Sequence, residues 1–222
     1  MSARPLVVAI GALHAASEEG IVADAAVIAE LDGRCACVAT ALSAEPGAEP
    51  VALPHRLIEA QLSGALSEVP RATRVGHLGS GRDAEAVAQA LAARAPDRIV
   101  LAPELSAALR VALLPLAAVV VVRAGEARDL PAMREAASRL RDAGARAVLV
   151  TGGASGGRIL DLLDDRGRIT VLDTSRIQAQ HLPGLAGSHA SALAGHLARE
   201  ASLAEAAEAA QRYVALRLRR GR

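Results

Sequence analysis

The sequence predicts an α/β fold, a doubly wound and mainly parallel sheet with helices on both faces. Short apolar runs alternate with stretches of helical periodicity along the whole chain of 222 residues. One run, residues 117–122, ends in four consecutive valines, which is typical of a parallel strand covered on both faces. A chain of this length can bury a substantial core, and we expect residues 1–222 to form a single domain.

Each element follows from its local pattern. Apolar runs bounded by turn residues predict strands at residues 6–10, 35–42, 73–77, 98–102, 117–122 and 147–150. Apolar residues at helical spacing predict helices at residues 20–31, 55–66, 83–94, 131–143, 187–199 and 203–219. Residues 45–50 indicate a Pro-rich loop, and residues 159–172 a hairpin that turns at residues 164–167.

Composition excludes several classes of function. Phe and Trp are absent and Tyr213 is the only aromatic residue, so no platform exists for stacking nucleic-acid bases. The net charge of +1 gives no electrostatic footprint for DNA. All 25 basic residues are arginines, so no lysine is available for a Schiff base or a phosphate clamp. No apolar run is long enough to span a membrane. We therefore expect neither nucleic acid nor membrane as a partner.

The two cysteines, Cys35 and Cys37, are separated by one residue in a predicted strand. Alternate residues of a strand share a face, which predicts two small buried hydrophobes. A metal site would need further ligands at suitable spacing, and neither the cysteines nor the six histidines provide them. So close a pair is also a poor disulfide framework, which indicates a reducing cytoplasm.

A glycine-punctuated turn leads into the helix predicted from residue 187. It reads Pro183-Gly184-Leu185-Ala186-Gly187-Ser188-His189. Free N–H groups and the helix dipole make such a turn a common place for a phosphate. A phosphoryl-transfer enzyme usually also places a proton acceptor there, and this turn offers only Gly187, Ser188 and His189. The turn therefore predicts an anion site without the usual base.

Several segments match the motifs of one family in the same order. Gly20-Ile-Val-Ala-Asp24 is similar to G-I-Q-A-D, residues 38–43 to V-I-T-A-L-T, Arg74-Val-Gly-His-Leu-Gly-Ser80 to K-I-G-M-L-G-S, and residues 148–153 to V-L-V-K-G-G. Residues 113–117 match the stretch before T-P-N-L-P-E-A, and residues 191–203 follow the helix after H-G-T-G-C-T-L-S-A-A. The chain thus resembles the hydroxymethylpyrimidine and phosphomethylpyrimidine kinases of thiamine biosynthesis. The resemblance implies a ribokinase-like fold, ATP and Mg²⁺ as cofactors, a small pyrimidine-like substrate and a homodimer.

The resemblance places the family's catalytic groups on residues that cannot perform their chemistry. The catalytic cysteine of the family falls on Gly187, or on Ser188 if the alignment shifts by one residue. Glycine has no side chain to accept a proton, and an unassisted serine is a poor base. The anion hole falls on Gly184, Ala186 and Gly187, with alanine in place of the middle glycine.

The binding positions implied by the resemblance are eroded as well. The substrate pocket falls on Gly11, His14 and Val22, with Val22 in place of a glutamine that would bond the pyrimidine. The nucleotide and magnesium side falls on Glu126, Thr151, Gly152 and Gly153, with Thr151 in place of a lysine and Arg123 in place of an asparagine. Glu18 and Glu19 replace small residues near the pocket. We interpret Asp24, in the first turn of its helix, as a carboxylate that complements the helix dipole.

Three hypotheses remain open. In the first, phosphoryl transfer is impaired or lost and the chain binds a pyrimidine-like molecule or a protein partner, because losses cluster at functional loops while core patterns stay intact. In the second, it is a working ATP-dependent kinase of hydroxymethylpyrimidine, its phosphate or a related small alcohol. Its catalytic groups are then rearranged, and Glu126, His14 or His189 takes a catalytic role. In the third, it is a structural subunit of an active paralogue.

Overall fold

The computed structural model describes residues 3–15, 19–44, 48–94, 97–102, 111–125, 129–175 and 185–220. Its strands are β1 (Leu6–His14), β2 (Arg34–Ser43), β3 (Val51–Ala52), β4 (Ala72–Val75), β5 (Ile99–Leu101), β6 (Val119–Arg123), β7 (Ala147–Ser155), β8 (Arg158–Asp165) and β9 (Arg168–Ser175). Its α-helices are α1 (Gly20–Glu30), α2 (His55–Ala65), α3 (Gly81–Arg94), α4 (Leu130–Asp142), α5 (Leu185–Ala198) and α6 (Leu203–Arg220). None of these helices is long and apolar enough to cross a bilayer.

All nine strands belong to one sheet, in the order β3-β2-β1-β4-β5-β6-β7-β8-β9. The six central strands are parallel, namely β2, β1, β4, β5, β6 and β7. The strands β3, β8 and β9 are antiparallel additions at the edges. Apolar side chains of α2, α3 and α4 pack on one face, and those of α1, α5 and α6 pack on the other. The predicted doubly wound, mainly parallel architecture is confirmed.

The structure extends two predicted strands and adds one. β1 continues past residue 10 to His14 because β2 stays paired with it beyond an irregularity at Gly11 and Ala12. β7 runs through the glycines at 152 and 153 to Ser155, since the antiparallel strand β8 supplies partners there. Val51–Ala52 forms the short edge strand β3, which the sequence pattern did not indicate. Residues 45–47 of the predicted loop lie outside the described residues.

The cysteine pair corrects one expectation. Cys35 and Cys37 do share a face of β2, with their sulfur atoms 3.9 Å apart. However, Cys37 is exposed and Cys35 is only half-buried, so the prediction of two buried hydrophobes is wrong. β3 pairs with β2 only at Ala41 and Leu42, which leaves the start of the strand uncovered. The hydrogen bond between the two sulfur atoms raises the pKa of Cys35 and lowers that of Cys37.

Candidate functional site

A buried guanidinium lies where the carboxyl ends of β1 and β4 approach helix α5. Arg74 of β4 exposes only 8% of its side chain. A Cβ atom on Gly76 would lie 1.8 Å from Arg74 Nη1, so the guanidinium folds back over Gly76 and would have to shift if any other residue stood there. Cβ atoms on Gly11 and Gly187 would each lie 3.6 Å from the guanidinium, at Nη1 and Nη2 respectively. The structure therefore brings two predicted site residues, Gly11 and Gly187, against one cation.

Asp24 of α1 is the counter-charge of Arg74. Its Oδ2 atom lies 3.2 Å from Arg74 Nη1, and the Ser191 hydroxyl of α5 donates to its Oδ1 atom at 2.5 Å. The carboxylate is 1% exposed and lies beyond the first turn of α1, so our interpretation of Asp24 as a first-turn carboxylate that complements the helix dipole is wrong. Burial raises the pKa of Asp24, and Arg74 and Ser191 oppose that rise. Arg74 Nε has no hydrogen-bond acceptor within the described part of the chain.

The first two turns of α5 carry polar side chains that contact three other elements. The Ser191 hydroxyl bonds Asp24 of α1, as above. Ser188, one of the two residues at the family's base position, is 1% exposed and its hydroxyl accepts from Arg217 of α6 at 3.0 Å. His189 faces Asp161 of β8. These contacts explain how an otherwise alanine-rich helix accommodates polar residues inside the core.

His189 and Asp161 form a second buried polar pair. Asp161 Oδ1 accepts from the backbone N–H of Gly152 at 2.9 Å, and its Oδ2 atom lies 3.8 Å from His189 Nε2. That distance is too long for a hydrogen bond, and no other described group partners His189 Nε2. Burial lowers the pKa of His189 more strongly than Asp161 raises it, so the imidazole is neutral in the folded protein at neutral pH.

This neutral histidine makes stability depend on pH. The folded-state pKa of His189 lies below its ordinary value of 6.5. At pH values between the two pKa values, the unfolded chain therefore binds a proton that the folded chain does not. The stabilisation is present above about pH 6.5 and is lost as the pH falls towards the folded-state pKa, by at most about 1.4 kcal/mol per pH unit. We expect His189→Gln to flatten the fall in unfolding free energy between about pH 7.5 and 5.5.

Urea unfolding at several pH values measures that slope. His196→Gln is the matched control, because partial burial, Arg199 and Arg212 also lower the pKa of His196, which is half-exposed. We expect the control to change the slope less than His189→Gln does. A slope that is identical in the unmodified chain and in His189→Gln would show that the imidazole is not held neutral by burial.

The residues that the resemblance assigns to the nucleotide and magnesium side lie in the later part of β7 and, in sequence, at or just after the end of β6. The Thr151 hydroxyl donates to the carbonyl of Val122 at 3.3 Å, and Gly152 adopts a φ of +78°. Gly153 is buried in β7, and Arg123, the register partner of Thr151, is exposed. Glu126 and Gly184 lie outside the described residues, as does the side chain of Ala186. In the described ranges, no three His, Cys, Asp or Glu side chains come together as a set of metal ligands.

The residues described at this edge fit a phosphate better than Mg²⁺. Mg²⁺ prefers carboxylate and carbonyl oxygens, whereas Arg123 places a positive charge beside Thr151. The neighbouring carboxylate, Asp161, is buried and bonded to Gly152. An exposed guanidinium is well suited to a nucleotide phosphate. The described residues at this edge therefore do not form a set of ligands for Mg²⁺.

The residues that the resemblance assigns to the substrate pocket lie on β1 and at the start of α1. Gly20 links β1 to α1 with a φ of +62°, and a Cβ atom there would lie 2.1 Å from the carbonyl oxygen of Ala12 and 2.8 Å from His14 Cδ2. His14 is half-buried at the end of β1. Val22 is 48% exposed on α1, so the position of the family's glutamine carries an open apolar surface. Glu18 lies outside the described residues.

Sequence reasoning missed Arg74 and Ser191 and misjudged Asp24. A signal was present in each case, because Arg74 is a charge within a strand that the pattern predicts to be buried. Ser191 likewise interrupts a run of alanine and leucine in α5, and Asp24 interrupts the apolar residues of α1. Polar residues at buried positions of neighbouring elements are often one another's partners.

The order of the strands, the helical layers on both faces of the sheet and the site at the strand ends together define the fold as ribokinase-like. The structure superposes on the pyridoxal kinase from Staphylococcus aureus in complex with pyridoxal, with a TM-score of 0.89 and 26% identity, over 98% of this chain and 89% of that one. Further structures of the S. aureus kinase contain AMP-PCP or ADP, so this related kinase binds adenine nucleotides.

The chain belongs to the phosphomethylpyrimidine kinase family, whose model matches residues 16–221. It is 30% identical to a hydroxymethylpyrimidine/phosphomethylpyrimidine kinase of Synechococcus elongatus, over 97% of this chain and 92% of that protein. It is also 30% identical to the protein of the same description from Streptomyces coelicolor, over 71% of this chain. The match spans 61% of the length of the Streptomyces protein.

Proposed function

We propose that this chain binds a small pyrimidine-like molecule and that its phosphoryl transfer is impaired or lost. The observation that carries this proposal is the arrangement around Gly187. At the position of the family's catalytic cysteine there is no side chain, and the nearest ionisable groups, Arg74 and Asp24, are paired with each other. Ser188, the alternative base position, is buried with its hydroxyl bonded to Arg217.

Loss of a base lowers the rate without removing the binding site. General base catalysis contributes about 10²- to 10⁴-fold in rate, while substrate affinity depends on other contacts. Arg74 supports the binding part of the proposal, because its Nε donor has no acceptor in the described chain and it lies against the glycines at 11 and 187. A buried donor without a partner is costly, and an acceptor atom of a bound ligand would relieve that cost.

Two measurements on the same pure protein test the proposal. Calorimetry measures binding of hydroxymethylpyrimidine and of its phosphate, and an ATP-consumption assay with magnesium measures turnover beside an active family member. We expect binding without turnover above background. Turnover within about a hundredfold of the active enzyme would overturn the loss of catalysis. Absence of both binding and turnover would favour the structural subunit.

A pair of variants tests whether Arg74 contacts the ligand. Arg74→Lys keeps the positive charge beside Asp24 but removes the Nε donor, and we expect it to weaken ligand binding about tenfold. Ser188→Ala is the matched control, since its hydroxyl bonds Arg217 on the other helix and should leave affinity unchanged. Equal affinities of both variants and the unmodified chain would remove Arg74 from the ligand site.

One observation favours a working kinase as a second candidate. Asp24 Oδ1 lies 3.9 Å from the point that a Cβ atom of residue 187 would occupy, so a carboxylate lies close to the region of the missing base. Because burial raises the pKa of Asp24, it would be a stronger base than an ordinary carboxylate. If turnover is found, Asp24→Asn should abolish it even when the rate is divided by the folded fraction that far-UV circular dichroism measures, while Ser191→Ala, which keeps the carboxylate, should not.

The subunit arrangement belongs to the same proposal. The resemblance implies a homodimer, and the third hypothesis implies a complex with an active paralogue. Light scattering on the pure chain, followed by mixing with a paralogue, separates the two. A stable homodimer that does not bind the paralogue would exclude the structural-subunit hypothesis.

A further inference from the structure

We infer that Cys35 and Cys37 form a two-thiolate binding site for a soft monovalent metal ion, of which Cu(I) is the representative. The two sulfur atoms lie 3.9 Å apart on the same face of β2, and Cys37 is exposed to solvent. Soft thiolate ligands select Cu(I), zinc and iron–sulfur clusters, and the geometry of the site decides among them. The charge of Asp24, the partner of Arg74, disfavours the thiolate form of both cysteines, so the pair adjoins the Arg74 site. The inference does not depend on the proposed function.

The backbone favours a bridging ion over a disulfide. Residues two apart on an extended strand have Cα atoms about 6.6 Å apart, at the upper limit of disulfide geometry, and their Cβ atoms point in parallel. Pairing with β1, which sets Val7 opposite Cys35 and Ala9 opposite Cys37, holds the strand in this extended form. Closing the sulfur separation from 3.9 Å to a bond of about 2.05 Å would require the strand to distort.

The same separation suits a metal bridge without movement of the strand. Two metal–sulfur bonds of about 2.3 Å each can span up to about 4.6 Å, which exceeds the observed 3.9 Å. Binding replaces the two thiol protons by one Cu(I) ion and releases both protons to solvent, with no change of oxidation state. The carbonyl oxygen of Ile21, 3.8 Å from Cys37 Sγ, lies beside the site at the start of α1.

The donor set also discriminates against zinc. Structural Zn²⁺ sites use four ligands, and in the described residues no third His, Cys, Asp or Glu joins the two cysteines in a metal-binding group. Cu(I) is satisfied by fewer, softer ligands. We therefore expect one Cu(I) per chain and at least about 100-fold weaker binding of Zn²⁺.

Anaerobic titration with Cu(I), in competition with a chromophoric Cu(I) chelator, tests the site. We expect a stoichiometry of one, lost in both Cys35→Ser and Cys37→Ser. The matched control is Ala36→Cys combined with Cys37→Ala, which keeps two thiols but places them on opposite faces of β2. Because this control cannot chelate, its affinity should fall at least about 100-fold.

Three results would overturn the inference. The first is binding that survives in either serine variant, and the second is equal affinity in the displaced-thiol control. The third is half an ion per chain accompanied by dimer formation, which would show that the thiols of two chains share the metal. Far-UV circular dichroism of each variant confirms that the sheet is intact, so a loss of binding reports the thiols and not unfolding.

Discussion

Gly187→Cys is expected to raise phosphoryl transfer at least about 100-fold above the unmodified chain. The substitution places a thiol where the resemblance aligns the family's proton acceptor, and its Cβ atom would make only ordinary contacts, at 3.6 Å from Arg74 Nη2 and 3.9 Å from Asp24 Oδ1. The neighbouring guanidinium favours the thiolate form that accepts the proton. ATP consumption with hydroxymethylpyrimidine phosphate measures the gain, and Val22→Gln combined with Gly187→Cys should increase it further.

The control for this prediction adds the same Cβ atom without a proton acceptor. Gly187→Ala fills the same space, so it should give no increase in turnover. An equal gain from alanine would show that the cavity at residue 187, and not the missing base, limits the reaction. If Gly187→Cys folds but gains nothing, the principal defect lies on the nucleotide side, where Thr151 and Arg123 replace the family's lysine and asparagine.

The architecture was predictable because it follows from local patterns. The valine run of β6 and the helical periodicity of α1 to α6 predicted the layers without knowledge of tertiary contacts. Strand ends were less predictable, because they depend on a partner from elsewhere in the chain. β7 continues past Val150 because β6 pairs with Thr151 and β8 pairs with residues 153–155.

The site was predictable only in part, for a related reason. The resemblance placed Gly11 and Gly187 in the site, and the structure does bring both against Arg74. The resemblance attached no role to the charge pair, since Arg74 and Asp24 are 50 positions apart in sequence and meet only when α1 packs on β1, the neighbour of β4 in the sheet. The exposure of Cys37 likewise depends on how short the edge strand β3 is.

Asp24→Asn is expected to cost about 3–5 kcal/mol of unfolding free energy, because it leaves Arg74 buried without a counter-charge. A domain with a total stability of about 5–15 kcal/mol would be close to unfolding. Urea unfolding followed by far-UV circular dichroism measures the loss, which suits a chain without tryptophan. Ser191→Ala is the control, since it removes one hydrogen bond to Asp24 and should cost only about 1 kcal/mol.

Removing the charge of Arg74 and removing the charge of Asp24 should not cost the same unfolding free energy. Arg74→Met leaves Asp24 buried, but a carboxyl group can become neutral by binding a proton, whereas a guanidinium cannot. We therefore expect Arg74→Met to cost less than Asp24→Asn at pH 7. In Arg74→Met the folded-state pKa of Asp24 loses the lowering effect of Arg74 and stays above its ordinary value of 3.8. The folded chain then holds a proton that the unfolded chain lacks, and the penalty shrinks as the pH falls.

In Asp24→Asn the loss of unfolding free energy should persist at acid pH, because Arg74 stays charged. Any effect of pH on unfolding free energy that the variants share with the unmodified protein cancels when each variant is compared with that protein at the same pH. The double variant should lose less stability than the sum of the single losses, because it leaves no isolated charge. A larger penalty for Arg74→Met than for Asp24→Asn, or one that acid does not reduce, would mean that the carboxyl group is not titrating in the core.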